Sequence, residues 1–148
     1  MESLAQFFIS KTEDAMDLPL PARQTPHSAG LDLHAKINVT IDMGARVLVP
    51  TGIKIALPFG YEAQIRGRSG LALKHGVTLA NGVGTIDADY RGEIHALLTN
   101  HGQAPFVINQ GDRIAQMVIA KVAMVDFVEV ETLEDTSRGT KGFGSTGV

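Results

Sequence analysis

From Leu31 to Ile41 every odd position is apolar (Leu31, Leu33, Ala35, Ile37, Val39, Ile41), and the even positions carry Asp32, His34, Lys36, Asn38 and Thr40. Successive side chains of a strand point to opposite faces, so this alternation predicts a strand with one buried and one wet face. The period returns at Ile53, Ile55 and Leu57, at Tyr61, Ala63 and Ile65, and at Ile94, Ala96 and Leu98. Turn-forming stretches separate these runs: DMGA from Asp42, VPTG from Val49, LPFG from Leu57, NHGQAP from Asn100 and NQGD from Asn109. Many short strands at regular spacing predict an all-β domain of the sandwich, barrel or jelly-roll kind.

Three stretches read differently. SGLALKHG, Ser69 to Gly76, offers a serine N-cap, good helix formers and a terminal glycine, and predicts the one short helix. The apolar run from Ile114 to Val130 has helical periodicity, but its valines and isoleucines favour one or two buried strands. Residues 136–148 hold only Phe143 and Val148 as large apolar groups, too little burial to offset the cost of ordering the backbone. The expected division is therefore a β domain over 1–135 and a flexible C-terminal tail over 136–148. Fully extended, that tail would reach about 40 Å, enough to cross onto a neighbouring molecule.

Composition narrows the function. With 148 residues the chain is one domain, and 44% hydrophobic with 20% charged residues is ordinary for a globular protein. A net charge of −3 supplies no general field for nucleic acid, so an anionic ligand must be held by a local set of donors. The absence of cysteine excludes disulfides, thiolate zinc sites and cysteine nucleophiles, and makes the cytoplasm the expected compartment. The N-terminal MESLAQFFIS carries an apolar patch too short for a signal-peptide core or a membrane span, so no membrane association is expected.

Several familiar sites are absent. GRSG lacks the second glycine of a nucleophile elbow, since Leu71 stands there. GTKGFGSTG lacks the ending of a P-loop and has no helix after it. The five histidines are scattered without metal-ligand spacing, so a protein-ligated metal is not expected.

Polar clusters at strand ends remain. In GRSGLA, Gly67 to Ala72, Arg68 and Ser69 stand where a helix begins, and a guanidinium, a hydroxyl and free N–H groups there could converge on a phosphate; a plain helix cap beside a solvated arginine would look the same. NGVGTIDADYRGEI, Asn81 to Ile94, places Asp87 and Asp89 two residues apart before Tyr90. One carboxylate at a strand end could face a cavity and orient a water, or both could bond their own backbone in a hairpin. Gln116, in GDRIAQM, lies among apolar residues where its amide must find partners. The tail adds the charges of Arg138 and Lys141, the hydroxyls of Ser145 and Thr146, the stacking face of Phe143 and several glycines. That set suits a ligand with a polyanionic end and a flat ring, as a nucleotide has, although an unstructured tail has the same composition.

Taken in order, AGLDL (Ala29 to Leu33), GRSGLA, GVGTIDADYRGEI, GDRIAQM and RGTKGFGSTG (Arg138 to Gly147) resemble the five motifs of the homotrimeric deoxyuridine triphosphatases, the dUTP nucleotidohydrolases. The resemblance covers nearly the whole chain. It implies a distorted jelly-roll monomer, a homotrimer with three active sites each built from all three chains, and a tail that closes as a lid over a neighbour's site. It also implies hydrolysis of dUTP to dUMP and pyrophosphate, which limits uracil in DNA and supplies dUMP for dTMP synthesis. Mg²⁺ would be the cofactor, carried on the substrate's phosphates rather than by direct protein ligands.

Position by position, the resemblance makes Asp87 the base that orients the attacking water and places Gln116 near that water and the α-phosphate. Arg138 would complete charge neutralisation as an arginine finger does. Arg68, Ser69 and Gly70 would hold the phosphates. Asn81 and the backbone of Gly84, Thr85 and Ile86 would read the uracil edge, and Tyr90 would pack on the deoxyribose and exclude a 2′-hydroxyl. From the tail, Phe143 would cap the uracil, while Lys141, Gly144, Ser145 and Thr146 would bind the triphosphate. Asp32 and Asp89 would give structural support. The alternatives are a dCTP deaminase of the same fold and a non-catalytic all-β interaction module. Deaminases tend to show proline, glycine and phenylalanine where Ala88, Asp89 and Tyr90 stand here.

Overall fold

A computed structural model describes residues 6–147; residues 1–5 and Val148, the outer ends of the N-terminal patch and the tail, lie outside the described residues. The strands in chain order are β1 (Phe8–Lys11), β2 (Leu31–His34), β3 (Val39–Ile41), β4 (Arg46–Pro50), β5 (Ile53–Ala56), β6 (Tyr61–Arg66), β7 (Val77–Leu79), β8 (Val83–Ile86), β9 (His95–Asn100), β10 (Phe106–Ile108) and β11 (Arg113–Lys121). One helix, α1 (Ser69–His75), lies between β6 and β7, and a short 3-10 turn spans Glu13–Ala15. All pairings are antiparallel, in four small sheets: β1-β5, β10-β3, β2-β11-β6-β8 and β4-β9-β7. They wrap one core, in which Leu33, Ile41, Val49, Ile65, Ile94, Leu98, Ile108 and Ile114 are buried. This is an all-β, distorted jelly roll.

The alternating run from Leu31 is two strands, not one. Leu33, Ala35 and Ile41 face the core, but Ile37 is exposed. The break has a hydrogen-bonding cause: Ala35 N–H donates to Asp112 O and Lys36 N–H to Pro50 O, so the chain leaves β11 as partner and passes to another sheet. The period of two survives such a corner because both halves line the same core.

The helix starts one residue earlier than a serine cap would place it. Arg68 is the N-cap in extended conformation, with no side-chain capping bond, and Ser69 is the first helical residue. At the other end Gly76 takes φ +67, and its N–H bonds back to Ala72 O. A side chain at Gly76 would also stand 2.6 Å from the backbone of Gly102, so the position requires glycine twice over.

The apolar run after Ile114 divides as well. β11 takes its first part as a central strand between β2 and β6. From Val122 to Val130 there is no strand, and Phe127 and Val128 are 96% and 83% exposed. The second buried strand is thus missing from the isolated chain, because no sheet edge of the same molecule receives it.

Candidate active site

Pairing of β11 with its two neighbours builds the first cleft. Gln116 stands opposite Asp32 on β2 and Arg66 on β6, so all three share a cross-strand row. Just beyond Arg66, Arg68, Ser69 and Gly70 turn into α1. These residues, with Asp32, Gln116 and Gly30, line a cleft of about 350 Å³. Ser69 and Gly70 are exposed, and a Cβ at Gly70 would meet nothing within 4 Å, so a ligand can approach this backbone closely.

Charge in the cleft is arranged around Asp32, a residue only 8% exposed. Arg68 Nε lies 3.7 Å from its Oδ1 and Arg113 Nη1 lies 3.5 Å from its Oδ2. Arg68 Nη1 also donates to Arg113 O at 3.2 Å. One carboxylate between two guanidiniums leaves a net positive end to the cleft, as an anion site needs. Burial holds the imidazole of His34 below its usual range; Asp32 opposes this, and Arg113 and Arg68 add to it.

Gln116 is fixed on both sides. Its Nε2 donates to Gly67 O at 3.0 Å, and its Oε1 lies against Gly30, where a Cβ would come within 2.1 Å. Gly30 is a residue that the sequence reading did not single out. Its signals in the sequence are its place in the AGLDL motif and at the entrance to an alternating strand.

The second cluster lies on the β8 arm and the loop after it. Asn81 sits in the β7–β8 turn, where Val83 N–H donates to Asn81 O at 2.8 Å and Gly82 has φ +72. Gly84 is close-packed, since a Cβ would stand 3.2 Å from Ile65 Cβ and 3.5 Å from Asn81 Nδ2. Thr85, Ile86, Asp87 and Tyr90 line a cleft of about 230 Å³ together with Leu48, Glu93 and His95. Asp87 also borders a larger hollow of about 480 Å³, beside Asp89 and Met124. Tyr90 Oη donates to Glu93 O at 2.9 Å.

Asp87 and the Arg68 cleft sit at opposite ends of the β6–β8 strand pair, while Asn81 and Gly84 lie toward the Arg68 end. Ala63 pairs with Ile86 and Arg66 with Val83, which puts Asp87 level with Glu62 while Arg68 lies beyond Arg66. At about 3.4 Å per residue, Asp87 stands roughly 14 Å along β6 from the row of Gln116 and roughly 20 Å from Arg68. The tail joins neither: Arg138, Lys141, Phe143, Gly144, Ser145 and Thr146 line none of these clefts. Its hydrogen bonds among the described residues are local, as in Arg138 Nε to Lys141 O at 3.0 Å. Phe143 is wholly exposed, at φ +51.

Among the described residues, no three His, Cys, Asp or Glu side chains converge as a metal-holding group, and no helix is long and apolar enough to cross a membrane.

The dUTPase family profile matches residues 16–147. The deoxyuridine 5′-triphosphate nucleotidohydrolase of Maricaulis maris is 58% identical over 134 residues, covering 88% of this chain and 88% of that one. That of Caldanaerobacter subterraneus subsp. tengcongensis is 55% identical over 142 residues, covering 95% and 96%. The dUTPase of Staphylococcus bacteriophage 80alpha, solved with dUPNHPP, superposes with a TM-score of 0.89 over 98% of this chain and 100% of that chain, at 24% identity. A profile match over most of the chain, and relatives more than half identical at close to full length, lead to one conclusion: the chain belongs to the dUTPase family.

Proposed function

We propose that this protein hydrolyses dUTP to dUMP and pyrophosphate as a homotrimer whose active sites are shared between chains. The observation that carries the shared site is the separation of Asp87 from Arg68 and Gln116 along β6. A carboxylate roughly 14–20 Å from these groups cannot orient a water at a phosphate they hold, since general-base catalysis needs reach of about 3 Å, directly or through one water. A second copy brings its own Asp87 loop to the cleft. The exposed apolar run from Val122 supports such assembly, because isolated chains rarely leave so many large apolar side chains in water.

In this reading residues 1–135 form the catalytic body and residues 136–148 a lid that closes on a neighbour's site. Arg68, Ser69 and Gly70 hold the phosphates. Asp87 takes a proton from the water that attacks the α-phosphate, and Gln116 orients that water and the oxygen beside it. Asn81, Gly84, Thr85 and Ile86 read the uracil edge with backbone and amide groups, so a wrong base leaves buried polar groups unpaired. Tyr90 lies on the deoxyribose, Phe143 on the uracil, and Lys141, Gly144, Ser145 and Thr146 on the triphosphate. Arg138 neutralises charge developing in the transition state, a role worth roughly 10³ to 10⁵ in rate in phosphoryl transfer. Asp32 and Asp89 support this frame. Asp32 is already engaged by two arginines, so Mg²⁺ is best placed on the triphosphate itself, where it supplies further neutralisation. We place the enzyme in the cytoplasm, which suits a cysteine-free chain.

The test is pyrophosphate release by the full chain with Mg²⁺ from dUTP, dTTP, dCTP and UTP, with ammonia release from dCTP measured in parallel. Rapid turnover of dUTP alone is expected, and Asp87→Asn should remove most of it. Ammonia from dCTP, equal use of the four nucleotides, or full turnover by Asp87→Asn would overturn the reading.

A further inference from the structure

The segment from Asp87 to Glu93 lies outside the strand ladders and is anchored at its end, where Ile94 N–H donates to Ile53 O and Ile94 O accepts from Thr51 N–H; before that anchor, turns and side chains set its shape. Tyr90 is held at the far end of its ring. Its Oη donates to Glu93 O at 2.9 Å, and the ring lies against Gly92, where a Cβ would stand 2.4 Å from Oη and 2.6 Å from Cζ. Glu93 is in turn tied to the body of the domain. Its Oε1 accepts from Lys36 Nζ at 2.7 Å and from Gly52 N–H at 2.8 Å. The Lys36 and Glu93 side chains are only 12% and 17% exposed, so their attraction is less screened than that of a surface pair. Around them stand Asp14, 3.1 Å from Lys36 Nζ, and His95, whose Nε2 is 3.7 Å from Glu93 Oε2. A chain of contacts thus runs from the corner between β2 and β3, through Lys36 and Glu93, to the ring of Tyr90.

We propose that Gly92 and the Lys36–Glu93 ion pair are positioning residues that fix the ring of Tyr90 and thereby set the discrimination between deoxyribonucleotide and ribonucleotide. This rests on the reading of Tyr90 as the surface that meets the deoxyribose. Exclusion by contact is steep in distance, because a gap of about 0.5–1 Å already forfeits a quarter to a half of the attraction and repulsion on closer approach is steeper still. A ring free to move by that much makes room for a 2′-hydroxyl. Gly92 has no substitute in this scheme, since any side chain there pushes the ring aside. Lys36 and Glu93 act one step further back, by holding the backbone to which the hydroxyl is bonded.

The experiment measures kcat/KM for dUTP and for UTP in the full chain, and takes the ratio, for wild type, Gly92→Ala, Lys36→Met and Glu93→Gln, with melting temperatures alongside. Gly92→Ala meets only the free end of a side chain, so the fold tolerates it. Gly92→Ala and Lys36→Met should lower the ratio by about tenfold or more, while Glu93→Gln, whose amide oxygen still accepts from Lys36 and Gly52, stays within about threefold of wild type. A purely structural effect lowers the folded fraction, scales both substrates alike and leaves the ratio unmoved. Ratios within about threefold of wild type in both Gly92→Ala and Lys36→Met overturn the proposal, and Gly92→Ala alone decides it if Lys36→Met does not fold. A wild type that ignores dUTP, or uses UTP equally well, removes the underlying reading instead, so the two failures are distinguishable.

Discussion

Gly30→Ala tests how closely Gln116 must be placed. The backbone at Gly30 accepts alanine, since its φ is ordinary, but the new Cβ would stand 2.1 Å from Gln116 Oε1, 3.0 Å from Cδ and 3.2 Å from Cβ. Carbon and oxygen come to rest near 3.5 Å, so the amide must retreat by more than about 1 Å. Rotation about the end of the side chain does not suffice, because the contact extends back to Cβ. The whole side chain has to turn, and the bond from Nε2 to Gly67 O is lost. If Gln116 orients the attacking water, a displacement of about 1 Å costs on the order of a hundredfold in kcat, equivalent to about 2.7 kcal/mol of barrier. The crowding also costs stability, about 1–3 kcal/mol. Initial rates of pyrophosphate release over a range of dUTP should show this loss in kcat with KM within about threefold of wild type, because Arg68 and Ser69 are untouched. A kcat within about threefold of wild type in a folded variant would refute both the placement of Gln116 and its role.

Asn100, wholly buried, donates from Nδ2 to Ile41 O and Ala104 O and accepts from Gly102 N–H; Asn100→Ala leaves these groups unpaired and should cost roughly 3–5 kcal/mol by urea unfolding, whereas a loss below about 1 kcal/mol would contradict this. The folded state holds His34 below its ordinary value of 6.5, so it binds this proton less readily than the unfolded chain. The stability contribution is intact above pH 6.5 and is lost as pH falls through the lowered folded value; the urea midpoint should decline on acidification, and His34→Gln should flatten that decline. Deleting residues 139–148 should abolish most turnover while leaving the oligomer and its melting temperature nearly unchanged, read by light scattering and calorimetry, since Arg138 to Gly147 bond only among themselves and Thr136.

Alternation made the strands legible, because Leu33, Ala63, Ile65, Ala96 and Leu98 are buried on the faces it assigns. It could not show the corner at Ala35 to Asn38, where the chain changes sheets without breaking the period; only the hydrogen bonds to Asp112 and Pro50 reveal it. Nor could it show that Val122 to Val130 is uncovered, because apolarity signals burial without saying against which molecule. Arg68, Ser69, Gly70 and Gln116 could be grouped from sequence as polar residues at strand ends, and the structure brings them to one cleft. Gly30, Gly92, Lys36 and Glu93 could not, because two act by having no side chain and two by pairing across 57 residues (93 minus 36). Such roles exist only once the chain has folded.

The proposed boundary between body and lid rests on the same distinction between covered and uncovered apolar groups. Phe127, Val128 and Leu133 are 96%, 83% and 86% exposed in the single chain, and each would contribute about 1.5–3 kcal/mol when buried on a neighbour. Beyond Asp135 only Phe143 among the described residues could add a comparable term. In the proposed assembly the driving force would come from residues that precede the lid, and the lid would be left to be ordered by the ligand. A substrate whose phosphates meet Arg68 of one chain and whose sugar meets Tyr90 of another is then itself the link between half-sites. On this reading a nucleoside without phosphates, or a triphosphate with the wrong base, engages one half only and gives the lid too little to close on. Selectivity then comes from requiring both halves at once, without either half binding tightly by itself.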